Sequence, residues 1–333
     1  MGKINRIAVV GCGALGSYYG AKLWKAGHDV VFLLRSDYEV VRSNGVLIES
    51  FEESFVAHPK PAKDPHEVGI ADLILVALKT TANHRFRELI MPLVGPDSVV
   101  LTLQNGLGSD DELARIFGPN RVMSGHCFVC LNRIAPGVVK HLAHGRIVIG
   151  EYSGPPTTRT LEIAEIFRSA SIQCDVVENV QRAHWEKLMW NVPFNGLGVA
   201  GIVGYEVFMS KTLDFAPEVV LRPVLTTEDL LKHAGWKEVI RGLMEELRTT
   251  AGAYDIQISK GFIDLMFELT SVMGPYKAST LLDFEKGLPM ELDAIFLEPL
   301  RRAATLRVST PLLQRLCDVL VALDGLRERI YQK

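Results

Sequence analysis

The pattern of apolar and polar positions changes character near residue 177. Before it, short β-branched apolar runs alternate with segments of helical period. Strands are predicted at Arg6–Val10, Val30–Leu34, Leu73–Ala77, Val99–Leu103, Val122–Leu131, Arg146–Gly150 and Gln173–Val177. Helices are predicted over 14–26, 83–93, 109–117 and 157–170, an alternation that points to a parallel sheet. Beyond residue 178 the two-residue period fades, and 3.6-residue segments punctuated by Gly and Pro take over. The expectation is an α/β chain with a parallel-sheet domain over 1–177 and an all-helical domain over 178–333. A length of 333 residues suits two domains, at roughly 150 residues each.

The first predicted strand runs into Gly11-Cys12-Gly13-Ala14-Leu15-Gly16, a G-x-G-x-x-G turn. Glycine clusters are common in turns, so context decides. Here an apolar strand precedes the turn, an amphipathic helix follows over 18–26, Gly27 sits where a cap belongs, and a second strand opens at Val30. In that βαβ setting Gly11 permits the tight turn, Gly13 leaves room for a pyrophosphate, and Gly16 lets the helix pack close to the strand. The first domain is therefore predicted to be Rossmann-type, with residues 11 to 16 forming the coenzyme turn and the helix-start N–H groups facing the phosphates. The second strand ends Phe32-Leu33-Leu34-Arg35-Ser36, where an NAD-binding version carries a carboxylate for the ribose 2′-hydroxyl. Arg35 would instead pair with a 2′-phosphate, which favours NADP (NADPH). Asp37 is close enough to keep an NAD reading open.

Composition narrows the partners. The chain is 48% hydrophobic and 23% charged with a formal net charge of −3. With no excess of Lys and Arg and no basic stripe, a nucleic-acid partner is not expected. No apolar run approaches the roughly 18 residues of a membrane span, and the first one is too short for a signal-peptide core. The five cysteines, Cys12, Cys127, Cys130, Cys174 and Cys317, form no spaced framework, which fits a reducing, cytoplasmic setting. His126-Cys127-x-x-Cys130, with His141 and His144 nearby, invites a metal reading. In a strand, however, residues three apart point to opposite faces, so no metal is expected.

The helical half carries polar residues where a core is expected. In Trp185-Glu-Lys187-Leu-Met-Trp-Asn191-Val-Pro193-Phe-Asn195 the polar positions recur every four residues, so Lys187, Asn191 and Asn195 share a helix face, with Gly198 nearly in line. Flanked by Trp, Leu, Met, Val and Phe, this stripe is either a narrow solvated strip or the polar wall of a cleft. Burying two amides and an ammonium unpartnered would cost several kcal/mol. Pro193 removes a helix hydrogen bond and favours a kink. A lysine in a cleft can fall below its usual pKa of about 10.4 and donate a proton near neutrality. His184 is expected on an exposed helix face, and the charged end from Arg327 to Lys333 as a solvated, fraying terminus. In the first half, two predicted strands end in Leu78-Lys79-Thr80 and Gln104-Asn105-Gly106, and ligands of open α/β sheets bind outside such ends. Glu291, two residues after Pro289, suits a helix's first turn on dipole grounds alone.

Taken together, the glycine turn, Val76-Ala-Leu-Lys79, Gln104-Asn105-Gly106, Lys187-x-x-x-Asn191-x-x-x-Asn195 and the stretch Tyr276-Lys-Ala-Ser279-Thr-Leu-Leu-Asp-Phe-Glu-Lys-Gly-Leu-Pro-Met-Glu291 resemble the ketopantoate reductase (2-dehydropantoate 2-reductase) family, in order and over nearly the whole chain. The resemblance implies NADPH-dependent reduction of a 2-keto acid, ketopantoate to (R)-pantoate, in a cleft between a Rossmann-type and a helical domain. It implies Lys187 as proton donor and Glu291 as the carboxylate that orients substrate. Ser279 would bind the substrate carboxylate, and Asn191 and Asn195 would hydrogen-bond the substrate. Asn105 would lie between nicotinamide and substrate, while Lys79 and Arg35 would address the coenzyme. Such proteins occur as monomers and dimers, so a homodimer is compatible. Two positions depart from the family pattern: Tyr276 replaces an Asn three places before the serine, and Asn195-Gly196-Leu197 replaces Asn-Pro-Leu. These departures leave open a different 2-keto acid or related carbonyl compound. A dehydrogenase for phosphosugars would want clustered arginines, whereas Arg222, Arg241 and Arg248 are scattered, and a non-enzymatic NADP sensor has no need of Lys187 and Glu291 together.

Overall fold

The computed structural model describes residues 4–210 and 212–331. The chain divides into two compact units, Met1–Val180 and Gln181–Lys333.

In the first unit the strands are β1 (Arg6–Val10), β2 (Asp29–Leu33), β3 (Val46–Ser50), β4 (Phe55–Ala57), β5 (Lys60–Ala62), β6 (Ala71–Val76), β7 (Val94–Thr102), β8 (Val122–Ala135), β9 (Val138–Glu151) and β10 (Cys174–Val176). The helices are α1 (Ala14–Lys25), α2 (Tyr38–Asn44), α3 (Pro65–Val68), α4 (Phe86–Ile90), α5 (Ser109–Phe117) and α6 (Thr158–Ser169). Strands β5-β2-β1-β6-β7-β8 are adjacent and all parallel. That is the doubly wound order, and its direction reverses between β1 and β6, the switch point where such sheets bind ligands. The runs in β1, β2 and β6 are almost continuously apolar because both faces are covered. One apolar cluster lies against α1 and α6 and the other against α3, α4 and α5.

The sheet is not purely parallel, as the pattern suggested. Strands β8 and β9 form one long antiparallel hairpin turning at Pro136-Gly137, with Gly137 at φ 69°. The predicted strands 122–131 and 146–150 are only its apolar base. Toward the tip Arg133, Lys140 and His144 are exposed, and the alternation dissolves. Beyond β9 the sheet continues through parallel β3 and antiparallel β4, which the periodicity missed. Strand β4 lies at one end of the strand order and β5 at the other, yet only His58 and Pro59 separate them in sequence. Three residue steps reach about 11 Å at most, so the two edges must approach and the sheet curls into a half-barrel. Helix α1 lies inside the curl, against β1, β2, β3, β4, β8 and β9. Its small residues suit that position, since a Cβ on Gly20 would stand 2.3 Å from the Phe32 ring.

At the end of β9, buried Glu151 ties the strand to the start of α6. It accepts from Thr157 Oγ1 at 2.8 Å, Thr160 Oγ1 at 2.5 Å and the Arg159 guanidinium. Burial pushes its carboxyl up, but the bonds from Arg159, Thr160 and Thr157 outweigh this and hold it below the usual carboxylate range. With the folded value below an unfolded value of about 4.3, the pair stabilises the fold above that pH and the contribution is lost as pH falls through the folded value. Glu151→Gln is expected to cost about 3 kcal/mol at neutral pH, and the gap should shrink as the pH drops below about 4. Thermal unfolding of both proteins across that range checks it; a pH-independent gap would be the wrong outcome.

Among the described residues the second unit contains no strand. Its helices are α7 (Val180–Ala200), α8 (Tyr205–Met209), α9 (Thr227–Lys232), α10 (Ala234–Ala253), α11 (Gly261–Ser271), α12 (Ser279–Glu285), α13 (Glu298–Thr305) and α14 (Pro311–Tyr331), and a π-helical turn, Asp293–Leu297, leads into α13. Helix α7 is the central one. Every residue from Asn191 to Ala200 is buried, and the helix continues through Pro193. A Cβ on Gly196 would stand 2.7 Å from Leu316 of α14, and one on Gly198 would stand 2.7 Å from Leu281 of α12. Glycine at 196, a departure from the family pattern, thus brings α14 close to α7. Two sequence expectations are corrected. His184 is buried rather than exposed. Arg327 is 2% exposed and donates to Asp324 at 2.9 Å and to the Gly287 carbonyl, so it belongs to the packed body of α14. Gln332 and Lys333 lie outside the described residues. No helix among the described residues is long and apolar enough to cross a membrane.

Candidate active site

The glycine turn follows from three local constraints. Gly11 has φ 102°, and a Cβ there would lie 2.4 Å from Leu78 N and 2.5 Å from Ala77 C, the backbone just past β6. A Cβ on Gly16 would lie 2.3 Å from the Gly11 carbonyl oxygen, so helix and strand approach only because it is absent. Around Gly13 there is nothing within 4 Å, and this residue is the N-cap of α1 with no side-chain cap bond and no acid in the helix's first turn. Uncommitted helix-start N–H groups facing open space are a fit for a dinucleotide phosphate. Cys12 turns inward, its Sγ 3.4 Å from the Val9 carbonyl; burial pushes the thiol up and the Asp37 charge adds to it, so it is no nucleophile here.

At the end of β2, Arg35 is exposed and makes no ion pair among the described residues. Asp37, two residues on, is 6% exposed. Its Oδ1 accepts from Ser36 Oγ at 2.8 Å and from Arg133 Nη2, and its Oδ2 accepts from Arg133 Nε at 2.9 Å and the Gly137 N–H at 3.0 Å. A carboxylate has about four acceptor sites, and all are taken, leaving none for a ribose hydroxyl. Burial alone would raise this carboxyl, but Arg133, the Gly137 N–H and Ser36 hold it below the usual range.

The loops after β6 and β7 are tied together by the Gln104 side chain, a motif residue to which the sequence alone gives no role. Buried Gln104 accepts from Thr102 Oγ1 at 3.0 Å and donates through Nε2 to the Leu78 carbonyl at 2.9 Å and to Asn83 Oδ1 at 2.8 Å. Asn83 in turn donates to Ser109 Oγ at 3.0 Å. Exposed Lys79 and half-buried Asn105 each adjoin a residue of this network, with Gly106 at φ 86° releasing the chain beyond Asn105. Only the adjacency of Gln104 to Asn105 hinted at it.

In the second unit the solvated-strip alternative for the α7 stripe fails: Asn191 is 7% and Asn195 2% exposed, while Lys187 is half-buried. Asn195 Oδ1 accepts from the Thr280 N–H at 3.0 Å, which ties its side chain to the start of α12. That bond fixes the helix whose first residue, Ser279, presents an exposed hydroxyl. Tyr276 is held by its backbone, accepting from the Thr227 N–H and donating to Thr227 Oγ1, both at 3.1 Å. Its ring lies 6.1 Å from Trp190, which stacks on Phe194 and donates to Thr270 Oγ1 at 3.0 Å. Glu291 is 7% exposed and precedes the π-helical turn, a feature frequent near functional sites. Lys187, Asn191, Asn195, Ser279 and Glu291 therefore belong to one unit, and the glycine turn, Arg35, Lys79 and Asn105 to the other.

Among the described residues no three His, Cys, Asp or Glu side chains are grouped to hold a metal. His141 is a core residue, with Nδ1 2.9 Å from Ser50 Oγ, Nε2 2.8 Å from the His144 carbonyl, and its ring against Tyr18 and Phe51. None of the five cysteines is in a disulfide, and burial pushes Cys174 and Cys317 up to about 12.

Comparison with known proteins identifies the family. Residues 7–154 match the family described as Ketopantoate reductase PanE/ApbA, and residues 219–324 match Ketopantoate reductase PanE/ApbA C terminal. The 2-dehydropantoate 2-reductase of Nostoc sp. is 36% identical over 327 residues, 96% of each chain. The chain belongs to the ketopantoate reductase family. Solved structures of this family share its fold. The 2-dehydropantoate 2-reductase from Geobacter metallireducens GS-15 superposes with a TM-score of 0.86 at 41% identity, covering 95% of this chain and 99% of that one. The one from Methylococcus capsulatus gives 0.85 at 31% identity, covering 97% of each. As a member of the ketopantoate reductase family, the protein is a pyridine-nucleotide-dependent oxidoreductase that interconverts C=O and CH–OH.

Proposed function

We propose that this enzyme uses NADPH to reduce a 2-keto acid, 2-dehydropantoate foremost, to the 2-hydroxy acid, here (R)-pantoate. The observation that carries the reading is the buried polar face of α7, where an otherwise apolar core helix presents Lys187, Asn191 and Asn195 in line. The reduced coenzyme, when bound, supplies the hydride to the carbonyl carbon. As negative charge grows on the carbonyl oxygen, the Lys187 ammonium stabilises it and gives up a proton from Nζ, so that hydride and proton together make the hydroxyl. Lysine is then reprotonated from water. The Ser279 hydroxyl and the amide groups of Asn191 and Asn195 hold the substrate carboxylate without neutralising the lysine. Glu291 accepts from the substrate hydroxyl and sets its orientation. Asn105 keeps nicotinamide and substrate in register, and the turn 11–16, Lys79 and Arg35 bind the coenzyme, Arg35 at its 2′-phosphate.

The test follows NADPH consumption with a panel of 2-keto acids, then repeats the best pair with NADH. Turnover should be greatest with 2-dehydropantoate, and no turnover on any 2-keto acid refutes the reading. The KM for NADPH should be lower than that for NADH by roughly 10–100-fold, the worth of one charge-assisted pair, and equal values would remove Arg35 from its role. A second reading keeps the reaction and changes the acid. It is favoured by Tyr276, whose backbone is pinned by Thr227 and whose ring packs near Trp190, so it would reshape the pocket for a different side chain. In that case another 2-keto acid in the panel outruns 2-dehydropantoate, and Tyr276→Asn reverses the order.

A further inference from the structure

Resting on the NADPH reading above, we infer that Arg133, far from the glycine turn in sequence, is a specificity-determining residue for the coenzyme: it neutralises and occupies Asp37 so that a 2′-phosphate is accepted beside Arg35. Asp37 is the acid that follows β2, where a free carboxylate would bind a ribose diol and repel a phosphate. The acid lies near the dinucleotide turn, close enough to act on the Cys12 thiol. Here the carboxylate is buried and spends both oxygens on Ser36, Arg133 and the Gly137 N–H. Arg133 comes from the tip of the β8–β9 hairpin, 96 residues away, and makes a two-pronged contact that lysine cannot reproduce. The hairpin tip is itself anchored, for the Leu47 N–H donates to the Gly137 carbonyl at 2.9 Å. The hairpin therefore delivers a fixed positive charge to the loop that carries Arg35. Without it, Asp37 would be an uncompensated anion two residues from the phosphate-binding arginine, and like charges at such range discriminate strongly.

The experiment measures dissociation constants by calorimetry for 2′,5′-ADP and 5′-ADP, the adenosine ends of the two coenzymes, with NADPH and NADH as full-length controls. The wild type should prefer 2′,5′-ADP. Arg133→Leu should lose about tenfold or more of that preference, with 5′-ADP affinity unchanged or raised, and Arg133→Leu/Asp37→Asn should regain it. Arg133→Lys should keep most of the preference, because charge matters more than the fork. A staple with a purely structural role would weaken both ligands together and gain nothing from the second substitution, which would overturn the inference. Should Arg133→Leu fail to fold, Asp37→Asn decides: Arg133 then carries unbalanced positive charge and the preference for 2′,5′-ADP must rise, whereas an unchanged or smaller preference overturns the proposal. A wild type with no preference refutes the NADPH reading and this inference with it. A wild-type preference that Arg133→Leu leaves intact refutes the inference alone.

Discussion

Lys187→Ala is expected to lower kcat by roughly 10²–10⁴-fold, the usual worth of a positioned general acid, with coenzyme affinity unchanged within about twofold. The two readouts separate because Lys187 lies on α7 of the second unit, whereas the glycine turn belongs to the first. Lys187→Arg sharpens the test. It keeps a cation for the developing oxyanion, but guanidinium holds its proton too tightly to transfer it. Substrate KM should therefore stay near the wild-type value in Lys187→Arg while kcat remains low. Steady-state kinetics with coenzyme fluorescence titration reads all of this. A Lys187→Ala enzyme of normal kcat would move the proton donor elsewhere.

The second large effect is expected at Gly11, and Gly13 provides its control. Alanine at 11 meets two obstacles, a φ of 102° and backbone atoms of Ala77 and Leu78 within 2.5 Å of the new Cβ. Neither neighbour is a side chain that can swing away. The conformational penalty of about 1–2 kcal/mol and the overpacking penalty of about 1–3 kcal/mol add to roughly 3 kcal/mol, or some 6–12 °C in Tm for a unit of this size. Prying β1 from β6 also disturbs the switch point, so coenzyme affinity should fall with stability. Gly13→Ala places its Cβ in open space at a φ of −78°, and its Tm should match the wild type. Its coenzyme affinity should still drop about tenfold, because the methyl group stands where the phosphate approaches. Calorimetric Tm and coenzyme dissociation constants for both variants test the pair. Equal losses of stability in the two would contradict the assignment of separate roles.

The sequence announced what was encoded locally. Runs such as Ile7-Ala-Val-Val10 and Leu73-Ile-Leu-Val76 are apolar on both faces, so the parallel core and the glycine turn could be read directly. Strands β3, β4 and β5 are three to five residues long and mix polar with apolar positions, and β3 and β5 join the sheet through partners far along the chain, so no window shows them. The hairpin tip was missed for the opposite reason, since it leaves the core and its alternation has nothing to report. At the site, the α7 stripe was visible as a period, but its burial was not. Nor could periodicity reveal that Asn195 spends its carbonyl on Thr280, that Arg133 spends both prongs on Asp37, or that Arg327 is packed beneath Gly287. Each of those partnerships spans at least 40 residues, and pairing at such separations is a property of the assembled fold.

The curl of the first unit bears on how the protein is made. Leu47 to Ser50 pair with Val138 to His141, so a ribosome must add about 90 residues before β3 meets its neighbour. At ordinary elongation rates that is an interval of roughly 5–20 s. Throughout it the nascent chain carries β3 and β4 as a short unpaired ribbon with Val46, Ile48 and Phe55 uncovered. Such ribbons recruit other strands. Emergence of the returning arm of the hairpin is the event that closes this adhesive edge, which makes the stretch before Val138 the interval in which a holdase chaperone has most to protect.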